Sequence, residues 1–352
     1  MSWATAARPG GAPRGARADR GTAAGILVGL SALFLLTVLL GTVAGTVPLA
    51  PGRVLAALFG LPVSQETHII VWAIRLPRVV LGALVGAALA LAGAVLQGLL
   101  RNPLADPGLL GVSAGAGFAA VVAIAAGAAT ASLWVLPFWA FCGALVASAL
   151  VYAMALRQGR TSVLTLILAG VAVSALFGAG TTLVLTLHMG TADVSSMFGW
   201  LFGSLDGALW RQDAVLAPLV AFGALGMLRY ARDLNLLATG EDGAAALGVA
   251  VERSRQILLV LAALMTGAAV AMSGVVSFVG LMVPHILRLL VGADHRRLLP
   301  ASVLGGATFV VLADLVARVV VRPAELNLGV VTAILGVPFF LYLLGRTAGG
   351  GV

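Results

Sequence analysis

Ten long apolar segments run through the 352-residue chain and constrain its fold more than any other feature. Most approach the roughly 20 residues that a helix needs to cross about 30 Å of hydrocarbon. Hydrophobic residues make up 61% of the chain and charged residues 10%, which leaves too little polar surface for a water-soluble fold. No barrel-type alternation is present. The sequence therefore predicts an all-α polytopic membrane protein with about ten spans: 23–50, 79–100, 109–129, 133–156, 163–189, 214–228, 257–272, 275–291, 298–321 and 328–344.

The distribution of arginines predicts the orientation. The sequence has no lysine, so all 21 basic residues are arginines. With both termini cytoplasmic, 15 arginines lie inside and 6 outside, in the direction of the positive-inside rule. The six outer arginines are Arg53, Arg75, Arg78, Arg211, Arg318 and Arg322.

The predicted organisation is one transmembrane domain with short tails. Residues 1–22 are Arg-, Ala-, Gly- and Pro-rich and are predicted to be a disordered cytoplasmic tail. The transmembrane domain covers 23–346, and residues 347–352 form the C-terminal tail. Glycines four apart, such as Gly82 and Gly86, predict close helix packing inside the domain.

The inventory of reactive residues argues against catalysis in this chain. The four histidines have no second histidine at i+4 and no carboxylate at metal-ligand spacing, so no metal or cofactor site is predicted. A Walker A loop needs a lysine, so any ATP hydrolysis must come from a partner protein. Deep ionisable residues are few, which disfavours a proton-coupled secondary transporter. That transporter and a membrane-embedded enzyme remain the rival functions.

Charged residues near the outer side form a candidate docking patch. Arg75 and Arg78 are three apart and share a helix face, and Asp314 can pair with Arg318 four residues on. If Asp314 orients Arg318, its guanidinium joins the other two as a cationic surface for an acidic partner. Interfacial snorkelling and simple pairing are the alternatives.

Two proline-containing segments lie near the inner side. Asn102, Pro103, Asp106 and Pro107 predict a rigid turn between spans two and three, because each proline forces extended backbone before it. In span eight, Pro284 predicts a kink near the polar residues His285 and Arg288, where helix shape is favoured over a ligand role.

The inner loop at about 232–253 contains a candidate partner-binding helix. Thr239 and Asp242 resemble a capping box, and Gly248 supplies a left-handed stop. A helix of about two turns needs docking for stability, which predicts a knob for a partner's groove. A segment packed on its own bundle is the alternative. The loop residues singled out are Thr239, Gly240, Glu241, Asp242, Ala244, Ala245 and Gly248.

Four segments together resemble the permease subunits of bacterial type II ABC importers for iron-siderophores, haem and vitamin B12. They are NPLADPGLLGVSAGAG, SGVVSFVGLMVPHILRLLVGADHRRLLP, LADLVAR and GVVTAILGVPFF, in order between about Arg75 and Leu344. The resemblance implies a homodimer in the bacterial inner membrane. It also implies two ATPase subunits below, which bind ATP and Mg²⁺, and a substrate-binding protein above.

The resemblance also assigns roles to residues of this chain. Arginines matching Arg75, Arg78 and Arg318 meet glutamates of the binding protein, and the loop matching Thr239 to Gly248 couples to the ATPase. Span five and its outer extension resemble the path lining and gate. Asn327 stands where the family often has proline, which puts the kink before span ten in doubt. The expected cargo is an iron(III)-siderophore, with haem and then cobalamin as alternatives.

Overall fold

The computed structural model describes residues 20–348 except 46, 158–159 and 192. The tails predicted at 1–22 and 347–352 therefore lie largely outside the described residues, and Arg20 to Thr22 are helical rather than disordered. The described chain forms fifteen α-helices: α1 (Arg20–Val43), α2 (Pro51–Leu58), α3 (Gln65–Ile69), α4 (Leu76–Leu99), α5 (Val112–Ala125), α6 (Val135–Ala155), α7 (Val163–Leu187), α8 (Asp193–Leu201), α9 (Trp210–Arg229), α10 (Ala231–Leu237), α11 (Glu241–Ala246), α12 (Val251–Ser273), α13 (Val279–Val291), α14 (His295–Val319) and α15 (Leu328–Ala348).

The helices confirm the all-α fold and the number of spans. Seven helical stretches in the described residues are long and apolar enough to cross a membrane, and α5, α13 and α15 are shorter apolar helices, which makes ten. A two-residue pair of strands, β1 (Leu156–Arg157) and β2 (Arg160–Thr161), joins α6 to α7. Below, "outer" and "inner" denote the ends assigned by the arginine distribution.

Two predicted span boundaries are wrong at the outer side. The first span ends at Val43 rather than at residue 50, and Pro51 begins the separate helix α2 as its first residue. The second span is longer than predicted because α3, a π-helical turn at Ile70–Arg75 and α4 run on without a break. Arg75 and Arg78 consequently lie inside a continuous helix.

The eighth span begins later than predicted. Gly274 and Phe278 both have positive φ, at 68° and 67°, and the chain between them is not helical, so α13 starts at Val279. A Cβ on Gly274 would lie 2.3 Å from the Trp200 carbonyl oxygen, so this turn is pressed against the end of α8. Gly111, with φ 72°, likewise separates the 3₁₀ turn at Pro107–Leu110 from α5.

Helix α4 lies at the centre of the bundle and is buried along nearly its whole length. It packs against α14, α12, α13 and α9. Glycines allow this crowding, because a Cβ on Gly86 would lie 2.1 Å from the Gly306 carbonyl oxygen, and one on Gly93 would lie 1.9 Å from that of Gly280. The predicted role of small residues in close helix packing is therefore confirmed at α4.

We expect Gly93→Ala to lower the thermal stability of the detergent-solubilised protein, because its methyl group would overlap backbone atoms of α13. Overpacking of this kind costs about 1–3 kcal/mol. Gly29→Ala in α1, where a Cβ meets nothing within 4 Å, is the matched control and should leave stability unchanged or slightly raised. Thermal unfolding followed by size-exclusion chromatography measures both; equal melting temperatures for the two variants would contradict the packing assignment.

Candidate functional site

A cluster of charges joins α4 to α14 at the outer end. The Asp314 carboxylate lies between two guanidinium groups, with Arg78 Nη2 at 2.9 Å and Arg318 Nε at 2.9 Å. Arg78 Nε also donates to Asp314 at 3.0 Å. The predicted pairing of Asp314 with Arg318 is thus confirmed, and Arg78 shares the same carboxylate. We call Arg75, Arg78, Asp314, Arg318 and Glu325 the outer cluster.

Two arginines of the outer cluster also close the C-terminal end of α1. Arg75 donates to the carbonyl oxygens of Thr42, at 2.9 Å, and Val43, at 2.6 Å. Arg318 donates to those of Gly41, at 3.1 Å, and Ala44, at 3.0 Å. The last carbonyls of a helix lack partners within it and carry partial negative charge, so guanidinium groups stabilise this end.

Burial sets the outer cluster apart from the predicted surface patch. Arg75, Arg78 and Arg318 come together, yet they are only 4%, 8% and 3% exposed. The expectation of three guanidinium groups facing the outer medium is therefore wrong. The three guanidinium groups bind backbone carbonyl oxygens and carboxylates inside the bundle, since buried charges need such partners.

The outer cluster reaches solvent through acidic side chains at Arg78. Arg78 Nη1 lies 2.8 Å from Glu325 and 3.7 Å from Asp206. The Glu325 side chain is 30% exposed and that of Asp206 is 84% exposed. Neither acid was singled out from the sequence, because each lies far along the chain from Arg78 and in a loop.

The loop between α4 and α5 is the rigid turn that its prolines predict. Asn102 Oδ1 accepts from the Leu104 N–H at 2.9 Å, and Asp106 Oδ1 accepts from the Gly108 N–H at 2.8 Å. Burial raises the pKa of the Asp106 carboxyl, against the lowering effect of the Gly108 hydrogen bond. Pro103 is exposed, whereas Pro107 is buried and begins the 3₁₀ turn.

The polar residues of span eight lie on α13. Pro284 is inside the helix, and the His285 ring lies edge-on to Phe339 of α15, with centroids 5.9 Å apart. Arg288 lies in the last turn and is partly buried. His285 therefore contacts the tenth span rather than another polar residue of the predicted sites.

The inner loop forms a short helix, but its capping differs from the prediction. Helix α11 begins after Gly240, which has φ 129° and offers no side-chain cap. Thr239 donates instead to the Leu236 carbonyl oxygen at 2.7 Å, so the capping box is wrong. Gly248, with φ 85°, follows the end of α11 as predicted.

One face of α11 packs on the protein itself and the other is exposed. Ala244 is fully buried, so its prediction as a partner-facing knob is wrong. Glu241 forms an ion pair with Arg255 of α12 at 2.5 Å. Asp242 and Ala245 are exposed, and Leu247, just after the helix, is 61% exposed. One face of α11 therefore packs on the protein's own bundle, as the alternative prediction expected, and the other face is exposed, as a partner-binding helix requires.

The outer extension of span five is held by backbone hydrogen bonds. The N–H groups of Leu328 and Gly329, at the start of α15, donate to the Gly203 and Phe202 carbonyl oxygens, both at 2.9 Å. Asn327 Nδ2 lies 3.4 Å from the Gly199 carbonyl oxygen of α8. The helical structure is interrupted before α15 even though position 327 is asparagine and not the proline that is common in the family. These hydrogen bonds hold the start of α15 against α8 and the residues that follow it.

A cavity of about 530 Å³ with a mixed polar and apolar lining lies beside α8 at the outer end. Its polar lining comes from residues of five different segments: Ser196, Ser204, Asp206, Gln212, Ser273 and Asn327. Next to Gln212, Asp213 is 4% exposed, and neither of its carboxylate oxygens has a hydrogen-bond partner among the described residues. Sequence reasoning missed Asp213, since it lies in the first turn of α9 where an acid is common.

Two curated permeases are similar over most of their length. The cobalamin import system permease BtuC of Halobacterium salinarum is 48% identical over 286 residues, which are 81% of this chain and 75% of the relative. The hemin transport system permease HmuU of Yersinia pestis is 43% identical, covering 78% of this chain and 82% of the relative.

One solved structure resembles the whole bundle. An inward-facing transporter assigned to the metal-chelate ABC type matches with a TM-score of 0.82 and 32% identity, over 92% of this chain and 99% of that one. The sequence also matches the family described as the FecCD transport family over residues 33–346. The chain therefore belongs to the FecCD transport family and is a multi-pass permease of an ABC importer.

Proposed function

We propose that two copies of this chain form a path for a metal chelate across the bacterial inner membrane, driven by separate ATPase subunits. The observation that supports this most directly is the placement of two candidate partner sites at opposite ends of the helix bundle. The outer cluster joins α4 to α14 at one end, and the exposed face of α11 lies at the other. A permease needs contacts with a different partner at each end.

Helix α7 supplies a suitable lining for the path. Its exposed face carries the small side chains of Ala172, Ala175, Ala179, Thr182 and Thr186 at helical spacing, between large exposed side chains that include Leu168, Leu176 and Leu183. The Thr182 and Thr186 hydroxyls donate to carbonyl oxygens of their own helix at 3.0 and 2.8 Å. Such a mainly apolar surface offers few specific polar contacts, which suits a bulky cargo that must also leave. The same small residues allow close approach of a second copy.

The free face of α11 is the proposed contact with the ATPase. The Walker A lysine that this chain lacks would be in that partner, which also binds ATP and Mg²⁺. Asp242, Ala245 and Leu247 are exposed on the inner side and present a small, partly apolar surface for a groove. The buried face of α11, with Ala244, holds this surface at a defined position.

At the outer end we propose that a binding-protein carboxylate exchanges with Glu325 on Arg78. Glu325 is the partly exposed partner of Arg78, whereas Asp314 is buried beneath it. An incoming glutamate could take the outer site without breaking the Arg78–Asp314 pair. Docking through Arg75 and Arg318 would then be indirect, because both are occupied by backbone carbonyls.

The names of two relatives support an order of cargo candidates. We propose cobalamin as the first candidate for this chain and haem as the second, because those relatives are named for cobalamin import and hemin transport. An iron(III)-siderophore, the first expectation from the sequence, is placed third. All three are bulky metal chelates and fit the same kind of path.

We expect the permease to transport cargo only in a complete complex. Proteoliposomes with the permease, its ATPase and its binding protein should take up cobalamin on ATP addition, and haemin or a ferric siderophore far more slowly. Uptake assays with labelled cargo measure this, and an uncoupler should have no effect. Uptake by the permease alone, or uptake that ceases with the uncoupler, would contradict the proposal.

We expect Glu325→Gln to tighten binding of the binding protein several-fold, because it removes the competing carboxylate from Arg78. Arg78→Gln should weaken binding about tenfold, the equivalent of about 1.4 kcal/mol. Arg53→Gln changes an exposed outer arginine on α2 outside the cluster and serves as the control. Surface plasmon resonance on permease nanodiscs gives the affinities; a weaker Glu325→Gln complex would disprove the exchange.

We expect Ala245→Trp to reduce association with the ATPase at least tenfold, because an indole on the exposed face of α11 would obstruct the groove. Ala245→Ser changes the same position without bulk and should bind normally. Co-purification at matched expression measures association, and size-exclusion chromatography verifies folding. Normal assembly of the tryptophan variant would remove α11 from the interface.

A further inference from the structure

Asn235 and His295 form a hydrogen-bonded joint between the inner loop and α14. Asn235 lies on α10, the helix directly before α11, and His295 is the first residue of α14. Asn235 Nδ2 donates to Asp294 Oδ1 at 2.6 Å, while Asn235 Oδ1 accepts from the His295 backbone N–H at 2.9 Å. The His295 ring Nδ1 lies 2.8 Å from the same oxygen.

The chemistry of the partners determines the orientation of every group in the joint. Asp294 can only accept when ionised, and the His295 backbone N–H can only donate, so the Asn235 amide has one workable orientation. Because Nδ1 of His295 also faces Asn235 Oδ1, that nitrogen carries the hydrogen. Burial would raise the pKa of Asp294, but hydrogen bonds from the Arg296 N–H and Asn235, with the charges of Arg296 and Arg297, hold it below its ordinary value.

The joint also touches α4. His295 is only 4% exposed, and a Cβ on Gly98 in the last turn of α4 would lie 2.4 Å from its Nε2. The imidazole is therefore seated against the inner end of α4. One side chain thus connects α10, α14 and α4.

Helices α4 and α14 are joined at three levels. The outer cluster links Arg78 to Asp314, the Gly86–Gly306 backbone contact lies in the middle, and the joint lies at the inner end. The 25 residues of α14 span about 37 Å at 1.5 Å per residue. Two helices held at both ends and in the middle move together as one packed unit.

We propose that Asn235 and His295 are positioning residues for transport coupling, which pass displacement of the ATPase-facing loop to the α4–α14 pair and so to the outer cluster. The inference rests on the proposed function. A second side-chain contact holds α10 to a different helix, α12, because Asp233 accepts a hydrogen bond from the Ser254 hydroxyl at 2.8 Å. Consecutive faces of α10 thus bind two different spans, and the Asn235 face binds the start of α14, the helix that carries Asp314 and Arg318 of the outer cluster.

The test measures coupling separately from assembly. In nanodiscs with the ATPase, Asn235→Ala should leave basal ATP hydrolysis and complex formation unchanged. Stimulation of hydrolysis by the loaded binding protein should fall at least fivefold, and cargo transported per ATP should fall with it. Ser254→Ala, which loosens α10 from α12 instead, is the matched control and should stay within twofold of wild type in both.

Exchanging the side chains of positions 235 and 294 gives a second test if Asn235→Ala fails to fold. Asn235→Asp alone puts two carboxylates together and should uncouple the complex. Adding Asp294→Asn restores the hydrogen bond between positions 235 and 294 with its direction reversed, while both His295 bonds keep their direction. The amide nitrogen then stands in place of the Oδ1 that accepts from the Arg296 N–H, so that one cap bond of α14 is lost. The double variant should recover at least half of wild-type stimulation.

The outcomes separate the two proposals. A wild-type complex that shows no stimulated hydrolysis and no uptake overturns the proposed function and the joint with it. A working wild-type complex with no coupling loss in Asn235→Asp overturns the joint alone. No recovery in the double variant, or an equal loss in Ser254→Ala, also overturns it.

Discussion

The close contact of α4 with its neighbours is the constraint on which the rest of the structure depends. A helix buried on nearly every side in a membrane bundle must meet its neighbours at backbone distance, and Gly86 and Gly93 permit that. Since lipid gives little hydrophobic force between helices, the contacts themselves hold the bundle. With α4 in place, Arg78 meets α14 at one end and Gly98 meets His295 at the other.

The outer cluster shows how a chain poor in charges uses those it has. Burying an arginine is costly unless each charge is paired and hydrogen-bonded. Asp314 forms ion pairs with two arginines, and the last carbonyl oxygens of α1 accept hydrogen bonds from Arg75 and Arg318. The cluster therefore organises three helices before any partner arrives. Its exposed edge at Glu325 is small, which favours specific exchange over a broad electrostatic surface.

The sites were only partly predictable. Helical spacing is local, so the Asp314–Arg318 pair could be inferred from two positions four apart. Glu325 and Asn235 could not, because their partners are far away in sequence and nothing local marks them. Asp294 could have been found as the N-cap of α14. Ala244 was assigned to the wrong face, because spacing shows that a short helix has two faces but not which neighbour covers each.

The sequence alone determined the all-α membrane fold, the number of spans and the family, since apolar length and motif order are properties of the chain itself. The tertiary structure alone decided which polar groups are exposed. It buried Arg75, Arg78 and Arg318, turned Ala244 inward and brought Asn235 to His295. The physical reason is that burial and pairing depend on distances between helices. Those distances are set by backbone contacts such as Gly86 with Gly306, and a linear pattern does not contain them.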